Sequence, residues 1–124
     1  MERKLTTIFA SDVVGFSKMM GLDEVKTLQI LKERRRIIDK IIEEHDGIIF
    51  GSAGDSVIAE FSSPLKAAEA AVATQHSMKI MNQGKNDFEQ MNFRVGINIG
   101  DVIVSDDNLF GDAVNIAARL EAEA

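Results

Sequence analysis

The step Gly54-Asp55 most narrows what this chain can fold into. It separates two runs, residues 48–53 and 56–61, that are rich in isoleucine, valine and phenylalanine, and a two-residue connection containing glycine is the spacing of a β-hairpin. Glycine supplies positive φ there without steric cost, so Asp55 is expected at the tip. A helical pattern flanks the hairpin on either side. Residues 22–46 carry apolar side chains at Val25, Leu28, Leu31, Ile38, Ile41 and Ile42, with Gly47 closing the run. After the hairpin, Ser63-Pro64 places a capping hydroxyl before a proline whose missing N–H costs nothing in a first turn, and the helix it starts extends to about residue 83, where Gly84 stops it.

Outside this centre, residues 5–11 form a β-rich run ending at Ser11-Asp12, and residues 15–21 read as a short turn or helical bend. Residues 91–104 return to strand character, with Phe93, Val95, Ile97 and Ile99 alternating against Arg94, Gly96 and Asn98. An acidic turn over 105–108 and a last helix over 109–124, capped by Asp112, complete the chain. Strand, helix, hairpin, helix, strand is the order of an α+β, ferredoxin-like βαββαβ core: an antiparallel sheet with helices on one face, here with an added C-terminal helix. Residues 1–124 are expected to form a single domain that is cut at its C-terminus, because the chain stops in helical sequence without a terminating signal.

Charge and composition remove several function classes. A formal net charge of −6, with basic residues scattered except for Arg34-Arg35-Arg36, argues against a nucleic-acid surface, and those three arginines read as the solvated face of the first long helix. The absence of cysteine excludes disulfides and thiolate zinc sites, and His45 and His76 read as isolated helix-surface residues. Met19, Met20, Met78 and Met81 read as helix packing residues. No apolar run approaches a membrane span or a secretion signal, so a cytoplasmic domain without direct membrane insertion is expected.

Chemistry enters through Asp12 and Asp55. Each carboxylate falls at a strand end, and in the expected fold the first strand and the hairpin are close neighbours. Two carboxylates brought together repel unless cations sit between them, and their oxygens suit the hard ion Mg²⁺. Two such ions can activate an attacking hydroxyl and stabilise a leaving oxygen in an in-line displacement at phosphorus. Arg94 and Arg119 supply cationic donors for phosphate, and Asn115 lies one helical turn before Arg119 on the same face. Taken singly each has an ordinary reading: a turn for either aspartate, an ion pair with Glu123 for Arg119, a solvated face for Arg94 and a polar helix position for Asn115. Gly51, Gly54 and Gly111 match neither dinucleotide-binding nor P-loop spacing and read as turn or packing positions. The bend Val13, Val14, Gly15, Phe16, Ser17 is the better candidate for backbone N–H groups facing phosphate oxygens.

Four ordered stretches carry a resemblance: Phe9-Ala10-Ser11-Asp12-Val13-Val14-Gly15-Phe16-Ser17, then Ala53-Gly54-Asp55-Ser56, then Phe93-Arg94-Val95-Gly96-Ile97-Asn98-Ile99-Gly100, then Phe110-Gly111-Asp112-Ala113-Val114-Asn115-Ile116-Ala117-Ala118-Arg119. Together they resemble the catalytic domain of class III adenylate and guanylate cyclases, most closely the small bacterial modules, lacking the closing strands. The resemblance implies Asp12 and Asp55 as ligands of two Mg²⁺ or Mn²⁺ ions, Arg94 on the triphosphate, and Asn115 and Arg119 orienting the ribose and steadying the α-phosphate. It further implies a head-to-tail homodimer with composite sites and conversion of a nucleoside triphosphate, ATP before GTP, to a 3′,5′-cyclic monophosphate and pyrophosphate. Two positions depart from the family pattern: Gly51 stands where a purine-reading lysine is frequent, and Asn108 where an aspartate is common. Asn108 still offers a donor and an acceptor to a purine edge. A guanylate cyclase, a nucleotide-binding regulatory relative and, more remotely, a polymerase-palm relative are the competing readings.

Overall fold

The computed structural model describes the backbone of residues 2–105 and 108–110 and the side chains of residues 4–101. Its elements run β1 (Glu2–Val13), α1 (Phe16–Leu22), α2 (Glu24–Glu44), β2 (Ile48–Ala53), β3 (Ser56–Phe61), α3 (Pro64–Asn82), β4 (Phe93–Ser105) and β5 (Asn108–Phe110). They form one five-stranded sheet of order β2-β3-β1-β4-β5, antiparallel at every pairing. This is the expected α+β arrangement, and the expected C-terminal helix lies outside the described residues.

The hairpin forms where the sequence places it. Ala53 pairs with Ser56, and Gly54 takes φ 59, a left-handed conformation a side chain would oppose. Ser63 caps α3 by accepting from the Lys66 backbone N–H at 3.2 Å, with Pro64 in the first turn. The α1–α2 junction uses Asp23 the same way, its carboxylate accepting from the Lys26 N–H at 3.0 Å. At the other end of α2 the left-handed residue is Asp46 at φ 64, not Gly47. Gly47 is required for a different reason: a Cβ there would lie 2.6 Å from the Phe61 ring and 2.7 Å from Ile42.

Alternation along the strands sends one set of side chains to the helices. Phe9 and Val13 of β1, Val57, Ala59 and Phe61 of β3 and Phe93 of β4 meet Leu31, Ile38 and Ile42 of α2 and Ala67, Ala70 and Met78 of α3. The opposite face carries Asp12 and Arg94 at one end and the fully buried Ile8 in the middle. β5 comes into contact with β2 although the two strands lie at opposite edges, so the sheet is strongly curled.

Three expectations change. Val25 and Leu28 are exposed, because the buried stripe of α2 runs through Thr27, Leu31, Arg34, Ile38 and Ile42, one helical face at spacings of three and four. Arg34 belongs to that stripe and is 1% exposed, whereas Arg36 is solvated as expected. Residues 108–110 form strand β5, pairing Phe110 with Ile103, where a turn and helix start were expected. Cross-strand hydrogen bonds to β4 outweigh the local turn signal there.

Candidate active site

The acidic pair is assembled by register. Asp12 is the penultimate residue of β1, and β1 lies between β3 and β4. On the β3 side Ser11 pairs with Val57, which brings the hairpin tip beside the end of β1. Asp55 Oδ2 there accepts a 2.8 Å hydrogen bond from the backbone N–H of Val13, the residue following Asp12. Two aspartates 43 positions apart in sequence thus converge on one strand end.

On the β4 side Asp12 is the direct cross-strand partner of Arg94. Arg94 Nε donates to Asp12 Oδ1 at 2.9 Å and Nη2 to Oδ2 at 3.0 Å, a two-pronged clamp in which both charged groups are partly shielded, with side chains 27% and 20% exposed. Sequence order gave no sign of this pair, since its members are 82 residues apart.

The expected phosphate-facing bend is also next to the acids, with part of its donor set already engaged. Val13 N–H serves Asp55, and Val14 N–H donates to the carbonyl of Asn92 at 2.8 Å. Gly15 follows at φ 68 and starts α1, with its carbonyl accepting from Met19 N–H. Phe16 and Ser17 therefore occupy the first turn of a helix, where N–H groups lack intrahelical acceptors. Asn108 lies in β5; its side chain, and all of Asn115 and Arg119, lie outside the described residues. Gly51 sits at a register shift of edge strand β2.

Beneath the site lies a polar anchor that sequence reading missed. Arg34 Nη1 donates to the carbonyl of Met91 at 2.8 Å and contacts Met78 Sδ at 3.5 Å, while Nη2 donates to Asn82 Oδ1 at 2.7 Å. Asn82 in turn grips both backbone groups of Met91, accepting from its N–H at 2.9 Å and donating to its carbonyl at 3.1 Å. Gln75 donates to the carbonyl of Phe93 at 2.7 Å. Residues 91–93 are thereby fixed immediately before Arg94. Burial pulls the Arg34 pKa below its ordinary value, with Glu33 opposing the shift. The available sequence signal was position: Arg34 falls three residues after Leu31 and four before Ile38, on the core face.

Two carboxylates and a guanidinium are donors of the kinds that suit Mg²⁺ and phosphate. Mg²⁺ is commonly held by one or two carboxylates and completes its shell with water and substrate phosphates, so it needs no third acid. Among the described residues no cluster of three or more acidic, histidine or cysteine side chains exists to hold a metal by protein ligands alone. A cavity of about 680 Å³ opens beside Val14 and Gly15 and continues between α1 and Phe88. No helix of the described residues is long and apolar enough to cross a membrane.

Known proteins give the arrangement a family. A model of the adenylate and guanylate cyclase catalytic domain matches residues 2–124. A Rhizobium meliloti (strain 1021) protein bearing an adenylate cyclase name is 40% identical over 125 residues, covering 100% of this chain and 21% of that protein. Guanylate cyclase 2G of Rattus norvegicus is 28% identical over 134 residues, covering 95% and 12% respectively. The crystal structure of an adenylate/guanylate cyclase/hydrolase from Silicibacter pomeroyi superposes with a TM-score of 0.91 at 39% identity, over 99% of this chain and 72% of that one. A bacterial light-regulated adenylyl cyclase superposes at 0.87 with 25% identity, over 99% and 71%. The chain spans about a fifth or less of the length of these two curated relatives.

Proposed function

The chain belongs to the adenylate and guanylate cyclase catalytic domain family, and on that premise we propose that it is the catalytic module of an adenylate cyclase. The reaction is attack of the ribose 3′-oxygen of ATP on the α-phosphorus, closing a 3′,5′-cyclic phosphate and releasing pyrophosphate. One observation carries the reading: the Asp55 carboxylate is bonded to the backbone one residue past Asp12, so both acids front one strand end.

Asp12 and Asp55 are the residues that would hold two Mg²⁺ or Mn²⁺ ions. When bound, such ions lower the pKa of the attacking hydroxyl and stabilise charge on the phosphate oxygens. Arg94, beside Asp12, binds the triphosphate and draws negative charge away from the reacting phosphorus. The bend of Val13, Val14, Gly15, Phe16 and Ser17 borders the same strand end, and its remaining amides contact phosphate oxygens. Asn108 accepts and donates on the purine edge. Asn115 and Arg119 of the opposite protomer orient the ribose and steady the α-phosphate, so the working unit is a head-to-tail homodimer. Catalysis then rests on positioning and fixed charge, without a covalent enzyme intermediate.

Guanylate cyclase is the second reading. It is supported by the rat relative, while Gly51, with no side chain to read a base, favours neither purine. Turnover of the full-length protein with ATP and GTP, each with Mg²⁺ and Mn²⁺, decides between them. Cyclic AMP as the main product supports the proposal. Nucleotide binding without any cyclic product overturns it in favour of a regulatory role. Mixing Asp55→Ala with Arg119→Ala is expected to restore part of the activity each lacks, since a mixed dimer rebuilds one intact site.

A further inference from the structure

We propose that Arg94 is a resident stand-in cation on Asp12, which keeps the acidic pair weakly attractive to metal until a polyphosphate draws the guanidinium away. The inference rests on the metal-site reading of Asp12 and Asp55 given above. Both Asp12 oxygens accept from Arg94, at 2.9 and 3.0 Å, and Asp55 Oδ2 accepts from Val13 N–H. Two carboxylates and one guanidinium leave this cluster a net charge of −1 instead of −2. A divalent cation arriving alone must therefore compete with a fixed positive charge for half of its protein ligands.

The clamp is positioned by the sheet. Asp12 and Arg94 are paired across β1 and β4, and Phe93, Asn92 and Met91 are held from behind by Gln75, Val14 and the Arg34–Asn82 pair. The Arg94 backbone is thus anchored, so release of Asp12 takes place by rotation of the side chain. A triphosphate offers the guanidinium several acceptor oxygens in a geometry that suits its planar fork, and those oxygens also complete the metal's shell. Moving one side chain by rotation about its χ angles exposes Asp12 at the moment the substrate brings extra metal ligands. Metal loading and polyphosphate binding then favour one another, as linkage demands.

The test is Mn²⁺ binding by calorimetry to wild-type chain and to Arg94→Met, with and without inorganic tripolyphosphate, alongside the side-chain Nε–H resonance of Arg94 in the NMR spectrum. Removing the guanidinium is expected to tighten Mn²⁺ alone by about tenfold, the scale of a close charge-pair coupling. Tripolyphosphate should tighten Mn²⁺ binding to wild type and have much less effect in Arg94→Met. In wild type the Nε–H resonance should shift with tripolyphosphate and stay in place with Mg²⁺ alone. Equal Mn²⁺ affinity of wild type and Arg94→Met, both folded by circular dichroism, would overturn the stand-in role while leaving the metal site intact. Mn²⁺ binding unaffected by Asp12→Asn and by Asp55→Asn would instead overturn the metal site itself, and this inference with it.

Discussion

Arg34 and Arg94 both serve the start of β4, in opposite electrostatic settings. Arg34 is buried and hydrogen-bonded to a backbone carbonyl and an amide oxygen, with Met78 sulfur alongside. Arg94 is partly exposed and clamped to a carboxylate. A buried cation on neutral acceptors has no charge to exchange, so its neighbours must match it in shape, and the outcome is rigidity. A half-exposed cation on an acid can trade that acid for another anion at small net cost, since water and salt weaken the pair. The first arginine is a fastener and the second a contact that can be released.

The largest effect that would sharpen this contrast is catalytic. In the full-length protein Arg94→Met is expected to lower kcat/KM by about 10²–10³ while leaving thermal stability nearly unchanged, the range seen when one charge-stabilising donor is removed. A stability loss comparable to that of Arg34 variants would break the distinction. Next, Arg34→Met should destabilise the fold by about 2 kcal/mol in denaturant unfolding, because the buried Met91 carbonyl and the partly buried Asn82 Oδ1 each lose a charged donor. The rate per folded molecule should fall far less than for Arg94→Met. Arg35→Ala provides the intermediate case: its bonds to Asp39 and Ser52 are partly solvated, so a loss of only about 0.5 kcal/mol is expected from the same unfolding curves.

The smallest effect concerns an exposed cation. Lys66 has its pKa raised above 10.5 by the hydrogen bond to Asp46 and by that carboxylate's charge. A raised folded-state value means its contribution is present below 10.5 and is lost as pH rises through the folded-state value. The small melting-temperature difference between wild type and Lys66→Met should therefore stay constant from about pH 6 to about pH 9. A difference that changes across that window would contradict the assignment.

The fold was largely legible because its signals are local. Gly54-Asp55 fixes a turn by backbone sterics, Ser63-Pro64 fixes a helix start by satisfying orphan amides, and alternation in 93–97 fixes which strand face meets the helices. Where a local signal competed with pairing to another strand, as at Asn108–Phe110, pairing prevailed. A string of arginines likewise conceals which one faces inward until the helix phase is settled, and Arg34 differs from Arg36 by only two positions.

The amino-acid sequence by itself determined the element order, the hairpin, the caps and the two acids at strand ends, since each follows from steric and hydrogen-bonding preferences acting over a few residues. Tertiary structure decided what those acids touch. Strand register alone sets Asp55 against Val13 and Arg94 against Asp12, and register is a property of paired strands distant in the chain, sensitive to a shift of one residue. The partner of a charge is chosen by that geometry, and so a local reading of the residues identifies the chemistry available without identifying the contact it makes.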